Sequence, residues 1–345
     1  MKRVQGFGMV EALIACTLFL VLMASTLGSL NSALGVNEKT NQMTDLEQNL
    51  RAGMNFMVQD FIQAGWQVPT GGISIPSGAG AISVKRPGPP GADYYFSPDV
   101  TISAVSPGAD LGPVGQGRTT DIVNIFYADN TLFPNSNKLL NEYLPTALAP
   151  NCSSVTVDNR TQISGVANAI TPGDLILFNG SHTALQYVSR VTNQTMFFDP
   201  NDPLGLNQPG KTGSVTCLQT DGCTGNSGSS PGMTVMRVWM VTYYLDMTTD
   251  ATLPRLIRRI NNRNGQVVAL VLEDMQLSYD LVDGVTNPTN VKSPTAPNSN
   301  NQIRKANVLL SGRSDTKVRN TNDYLHRDLS TQISLRSLAF VNRYR

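Results

Sequence analysis

The chain is short of nearly everything that marks a soluble enzyme or a nucleic-acid binder. Only 15% of its 345 residues are charged, and the formal net charge is +1. Such a chain has no global field to gather phosphate backbones, so nucleic-acid binding would need a local patch. Histidine occurs twice, at His182 and His326, with no third partner to complete a catalytic site. Four cysteines without a paired CxxC, beside two histidines, leave zinc without a ligand set. There is no G-x-S-x-G elbow, no HExxH helix and no calcium loop of full length. Asp199, Asn201 and Asp202 are oxygen-rich, but they lack a bidentate Glu and read as a turn. These absences point to a protein that is not an enzyme and carries no cofactor and no metal.

One motif argues the other way. GLNQPGKT, residues 205–212, satisfies the G-x-x-x-x-G-K-[ST] pattern of phosphate-cradling loops. Such a loop needs a strand before it and a helix opening at the Lys-Thr, so that amide groups face the phosphate. Here DPNDP precedes it and Gly213-Ser214-Val215 follows, a turn and a poor helix start. Lys211 therefore reads as a solvated loop charge.

What the chain does have lies at its beginning. Lys2 and Arg3 precede an apolar run from Phe7 to Leu30 that contains one ionisable residue, Glu11. About 24 residues exceed the core of a secretory signal and suffice to span a bilayer. Ala24-Ser25-Thr26 offers a late cleavage site, but neither a signal peptide nor a plain anchor accounts for Glu11. A carboxylate at that depth costs about 2.5–3.5 kcal/mol and calls for a partner. The obvious one is an α-amino group, freed if the chain is cut between Gly6 and Phe7. The positive-inside rule puts Lys2 and Arg3 in the cytoplasm and everything after about residue 36 on the other side.

The helical period persists beyond the apolar run. Met43, Leu46, Leu50, Met54, Met57, Phe61 and Ala64 form one stripe at steps of three and four. Gly65 supplies a left-handed cap. The spacing predicts one helix over 7–64, about 87 Å long if unbroken, with Gly28, Gly35 and Gly53 as local weak points. Its second half packs on the chain's own sheet; a coiled-coil dimer is the rival explanation, although no flanking charge pattern accompanies the seam.

Downstream the period becomes two. Strands are expected at 119–129, 173–179, 184–192, 195–199, 235–246, 254–261, 267–281, 306–314 and 331–344. Short connections without helices imply antiparallel pairing. The Gly-, Pro-, Asn- and Ser-rich stretches 66–118, 200–234 and 283–301 are expected to be surface loops, some of them mobile. Arg255, Arg258, Arg259 and Arg263, with Arg304 and Lys305, read as one solvated edge, a DNA-contact face being the lesser alternative. Cys16 lies in the apolar helix. Cys217 and Cys223 bracket CLQTDGC and would close a small disulfide in an oxidising compartment, with Cys152 left over or taking one of them.

The stretch GFGMVEALIACTLFLVLMASTLG resembles the N-terminus of type IV prepilins. LEQNLRAGMNFMVQDFIQAGW, TTDIVNIFYAD, VWMVTYYLD and the closing ISLRSLAFVNRY are similar, more modestly, to PilW-like minor pilins. Gly8 departs from the family where a hydroxyl residue is common, and Gly28 replaces a frequent helix-kinking proline. The resemblance implies a leader over 1–6, a transmembrane and assembly helix over 7–30, its amphipathic continuation over 31–65, and a β-rich ectodomain over 66–345. The implied fold is α+β, a long N-terminal helix packed on a mainly antiparallel, pilin-like sheet. It further implies cleavage between Gly6 and Phe7 by a prepilin peptidase and N-methylation of Phe7. Loss of Lys2 and Arg3 would take the basic count from 26 to 24, against 25 acidic side chains. The expected role is that of a minor pilin at the initiating or tip complex of a pilus, with Glu11 neutralising the terminal amine of a neighbouring subunit. Implied partners are other minor and major pilins, the peptidase, the inner-membrane assembly platform and, before assembly, the lipid bilayer. The implied location is the inner membrane first and the periplasm or cell-surface pilus afterwards. A J-type minor pseudopilin of type II secretion and a membrane-anchored adhesin or enzyme are the alternatives.

Overall fold

A computed structural model describes residues 8–96, 101–129, 153–157, 163–165, 169–179, 183–214, 234–319 and 321–339. It contains one long N-terminal apolar helix and a mostly antiparallel β domain, an α+β architecture. The helix, α1, spans Met9–Gln63. No proline interrupts these residues, and the helix runs through Gly28, Gly35 and Gly53 without a break. It stops at Gly65, whose φ is +79° and whose N–H donates to the Phe126 carbonyl at 2.9 Å. A Cβ there would also lie 2.5 Å from Leu338 Cδ2, so both backbone and packing require glycine.

The chain divides into two compact units, Met1–Gln48 with Arg313–Arg327, and Asn49–Gly312 with Asp328–Arg345. In the first, Gln42 Nε2 donates to Thr316 Oγ1 at 2.9 Å, and Arg327 lies 3.5 Å from Glu47. The loop around 313–325 closes through Ser314 N–H on the Leu325 carbonyl at 2.7 Å, with the Arg313 guanidinium 3.9 Å from the Tyr324 ring centroid.

The second unit is built on a seven-stranded sheet. Its strands are β1 (Val105–Gly108), β2 (Ile122–Ala128), β3 (Leu175–Asn179), β4 (Thr183–Tyr187), β5 (Thr234–Asp246), β6 (Arg255–Ile260) and β7 (Gln266–Leu270). The order along it is β4-β3-β5-β6-β7, with β2 on β5 and β1 on β2, and every pairing is antiparallel. A three-stranded sheet follows, made of β8 (Leu272–Leu281), β9 (Ile303–Arg313) and β10 (His326–Ser334) in that order. Ser154–Thr156, Arg190–Thr192 and Thr195–Phe197 form a smaller sheet. It shares a core with β3 and β4 that includes Val155, Ile163, Phe178, Met196 and Phe198.

The structure corrects several sequence expectations. The run 267–281 is two strands in two sheets, broken at Val271, whose φ is +57°. Likewise 184–192 is two strands, because Val188 and Ser189 turn the chain to separate partners. The last strand starts early, at His326, and ends at Ser334; Arg336–Ala339 is a short helix, α2. Segment 66–118 is not surface loop: Ile73, Ile75, Val84, Ile102 and Val105 are buried and strand pairs run through it. Arg86 is buried within it with no carboxylate partner among the described residues; it donates to Asn124 Oδ1 and to the Ser106 and Pro107 carbonyls, and burial lowers its pKa to about 10. Residues 204–208 are likewise packed inward. Asn207 bonds both the N–H and the carbonyl of Tyr187, and Gln208 does the same for Ile82, each amide side chain standing in for a strand neighbour.

The stripe on α1 behaves as its period requires. Leu50, Met54, Met57, Phe61 and Ala64 are buried within the second unit. A Cβ on Gly53 would lie about 3.0–3.1 Å from Leu256 and Ala269 side-chain carbons, so the helix rides close on β6 and β7. On the same side Asp60 is 3% exposed. Its carboxylate accepts from the Tyr127 and Tyr243 hydroxyls and from Arg258 Nε and Nη2, at 2.5–2.9 Å. Burial, then the neighbouring Asp60 charge, pushes both tyrosine pKa values well up, so both remain hydrogen-bond donors. Removing one partner of a buried ion pair costs about 3–5 kcal/mol, because the other is left uncompensated. Asp60→Ala should therefore lower the unfolding free energy of the detergent-solubilised chain by that amount, read as a lower urea midpoint, whereas the exposed Gln59→Ala should leave it unchanged.

Asp246 ends β5. Burial opposes its ionisation, but hydrogen bonds from Thr249 and Thr248 outweigh that and hold its pKa at about 2. A depressed carboxylate stabilises the fold fully above its unfolded value of about 3.9 and loses that contribution as pH falls toward its folded value. Thr249→Val should accordingly shift the acid-unfolding midpoint upward, read by circular dichroism.

Candidate functional site

The first turns of α1 are the segment to which the sequence assigned a function. From Met9 to Leu34 every residue is exposed, including Val10, Leu13, Phe19, Leu22 and Leu27, and the helix is long and apolar enough to cross a membrane. Each Leu or Phe left in water forgoes about 1.5–3 kcal/mol of burial, so the segment demands lipid or other apolar helices. Its hydroxyls suit that setting. Thr17, Thr26 and Ser32 donate back to the Ile14, Met23 and Gly28 carbonyls at 2.8–3.0 Å and so need no outside acceptor.

Glu11 is the third residue of the helix, three beyond Gly8. The Gly8 carbonyl opens the helical ladder by accepting from Ala12 N–H at 3.1 Å, and Gly8 N–H donates to Glu11 Oε2 at 2.9 Å. This is the reach-back half of a capping box, and it sets a negative charge at the positive end of the helix. The other half needs a hydroxyl at position 8, which glycine lacks. Phe7 directly precedes this amide, so a chain terminus created there would lie one residue from the group that Glu11 already holds. Among the described residues the other carboxylate oxygen accepts no bond, and it can take another donor. Gly6 and Phe7 themselves lie outside the described residues. Cys16 is exposed on the helix and unbridged; Cys152, Cys217 and Cys223, with His182, lie outside the described residues.

Among the described residues the β domain does not assemble the other sequence candidates into a site. The arginines of β6 and its turn point to different acceptors. Arg258 holds Asp60, Arg255 lies 3.2 Å from Asp246, Arg259 bonds the Arg263 carbonyl and Asn262, and Arg263 bonds Asp174 and Thr171. Arg304 folds onto the Asn301 and Ile303 carbonyls. These pairings replace the expected solvated edge and weaken the case for a DNA face. Asp202 accepts the Leu204 and Asn207 N–H groups, and Asp199 faces Arg190 at 3.6 Å, so the oxygen-rich run is a turn. Among the described residues no His, Cys, Asp and Glu cluster could hold a metal. Lys211 reaches the Ala79 carbonyl at 2.7 Å, Thr212 bridges Ser77, and the described residues through Ser214 are turn.

Sequence reading missed two buried clusters. One is Asp60 with its tyrosines, hidden because a lone acid on an amphipathic helix looks solvated. Its signal is the phase: Asp60 sits between Met57 and Phe61, inside the apolar stripe. The other joins Arg237, buried on β5, to Asp129 and Asp174. The Trp239 ring lies 4.7 Å from the Arg237 guanidinium and 5.7 Å from that of Arg263. Every charge there has its counter-charge within the cluster, which suits a structural network.

In comparisons with family models, with curated proteins and with solved structures, nothing matches this chain. With the phosphate-loop pattern lying in a turn, Mg-ATP should produce no thermal shift. Lys211→Met should cost no more than about 1 kcal/mol in the same denaturation assay, as expected for a loop side chain outside the core.

Proposed function

We propose that this chain is a minor type IV pilin, anchored in the inner membrane by α1 and then incorporated at the initiating or tip complex of a pilus. The observation that carries the reading is Glu11, a lone carboxylate near the start of an exposed apolar helix, directly after the Gly6-Phe7 pair. A prepilin peptidase cuts between Gly6 and Phe7 and methylates the new amine of Phe7. The helix then leaves lipid for a bundle of similar helices. In that low dielectric an unpaired carboxylate is far costlier than a paired one. Glu11 pairs with the Phe7 ammonium of an adjoining pilin and so fixes axial register between subunits. The half-capped geometry supports this, since the Gly8 contact occupies one carboxylate oxygen and leaves the other available.

The size of the β domain supports a tip or initiating position over one repeated in every layer, because a large head crowds a helical lattice. The role is assembly, without catalysis and without a cofactor. A J-type minor pseudopilin of type II secretion shares anchor and position and is the second reading. A membrane-anchored adhesin would use the helix alone and be indifferent to Glu11.

Two substitutions test the proposal. Glu11→Ala should accumulate in the membrane fraction and be lost from sheared filaments, scored by immunoblot; normal incorporation would sink the idea. Gly6→Val should retain the six-residue leader, seen as an intact mass higher by the hexapeptide and an unmethylated N-terminus.

A further inference from the structure

We propose that the outer face of the β8-β9-β10 sheet is a binding groove for a neutral oligosaccharide. The groove has a volume of about 610 Å³, within the range of small-ligand sites, and it uses none of the residues assigned above to assembly. Its floor follows from the strand period. Along β8 the residues Met275, Leu277, Tyr279 and Leu281 are buried beneath the sheet, while Gln276, Ser278 and Asp280 alternate onto the other face. On β9, Leu309 stands opposite Gln276, Asn307 opposite Ser278 and Lys305 opposite Asp280.

Neighbouring segments raise two walls. The chain returns along β8 after residue 287, where Tyr279 and Val291 bond each other's carbonyls at 2.8 and 2.9 Å; this stretch was expected to be surface loop. It brings Asn290 and Lys292 to the groove. On another side a tight hairpin, Val114–Gly115 with Arg118–Thr119, carries Arg118 there. Gly115 is forced in that hairpin, because a Cβ would lie 1.8 Å from the Glu273 carbonyl oxygen.

Charge does not select the occupant, because each charged group of the lining, and Asp280 beside it, is already answered. Arg118 Nε donates to Asp274 at 2.6 Å, and Lys292 Nζ to Asp110 at 3.0 Å. Asp280 accepts from Asn290 N–H, Asn307 Nδ2 and Gln332 Nε2 at 3.0–3.1 Å. A charged ligand would have to displace one of these pairs; a neutral one need not.

What remains is an uncharged rim around an apolar spot. Asn290 Oδ1 accepts from Asn307 Nδ2 at 3.2 Å and from Ser278 Oγ at 3.4 Å, which turns its Nδ2 the other way. Gln276 Nε2 donates to the Thr119 carbonyl and to Asp274 at 2.7 and 2.8 Å, leaving its Oε1 as an acceptor. Ser330 and Thr331 add hydroxyls to the lining. Leu309 lies half-buried in the floor beside Gln276. An apolar spot bordered by both donors and acceptors fits a pyranose, whose ring face is C–H and whose edge carries hydroxyls that donate and accept. Gln332 Nε2 also donates to Asn307 Oδ1 at 2.9 Å, so the amides are locked to one another before a ligand arrives. Among the described residues no aromatic side chain lines the groove, so a nucleobase has nothing to stack on.

The test titrates cellotriose by calorimetry into the full chain, solubilised in a sugar-free detergent. Every ring substituent of this trimer is equatorial along the chain, which leaves the ring faces C–H. Saturable binding is expected, indifferent to salt because no ion pair is made, and no weaker than that of trigalacturonic acid. Leu309→Thr removes the apolar spot and keeps a strand-forming residue. Asn290→Gly removes the outward donor at an exposed position whose φ of +56° glycine accepts. Each should weaken binding about three- to tenfold, the scale of one hydrogen bond or of one partly covered side chain, and a loss in at least one is required. Absence of binding, unaltered binding in both variants, or tighter binding of the acid overturns the proposal. So does hexaserine binding as tightly as the sugar, which would make the groove a peptide site.

Discussion

A carboxylate buried on a helix governs this molecule. Asp60 lies within the apolar stripe of α1, and its burial is tolerable only while Tyr127, Tyr243 and Arg258 surround it. Those partners come from β2, β5 and β6, so a single charge fixes the rotation and height of the helix end against three strands. Apolar packing by Leu50, Met54, Met57 and Phe61 supplies most of the contact area but is indifferent to a small slide. Hydrogen bonds to a buried ion are not, which is how a modest polar cluster specifies a single docking among many apolar ones. Gly65, held by Phe126 and crowded by Leu338, then ends the helix at a fixed point.

Glu11 faces the opposite problem at the other end of the same helix. There the carboxylate turns to its own Gly8 amide. The two acids thus divide the labour of α1. Asp60 is satisfied by three strands of the sheet, whereas among the described residues Glu11 accepts only the Gly8 amide. On the proposed reading, its other carboxylate oxygen is what an adjoining subunit uses.

Much of this was legible from spacing. The helix, its stripe, its end at Gly65 and the positions of most strands follow from two periodicities and one glycine. The failures share a physical cause. Val271 adopts a left-handed conformation that a β-branched residue rarely takes, so nothing in VVALVLEDMQLSYDL announces the break between two sheets. Segments 66–118 and 200–208 were misread because Arg86, Asn207 and Gln208 are polar yet buried, each bonded to backbone from distant sequence. Composition marks such residues as solvated, and only tertiary partners reveal them as internal scaffolding. Arginine alternation on β6 misled for the same reason, since the acids that take up Arg255, Arg258 and Arg263 lie 9, 198 and 89 residues away.

The inward-turned hydroxyls of the apolar segment carry one more consequence. Thr17, Thr26 and Ser32 spend their donors on carbonyls of their own helix. Along that stretch they present outward neither a strong donor nor any demand for a matching polar neighbour. At those three positions contact is judged by contour, so a neighbouring helix is accepted there provided its ridges fit. On the proposed reading, discrimination among companions is left to the lone acid at the tip of the segment and to the folded head.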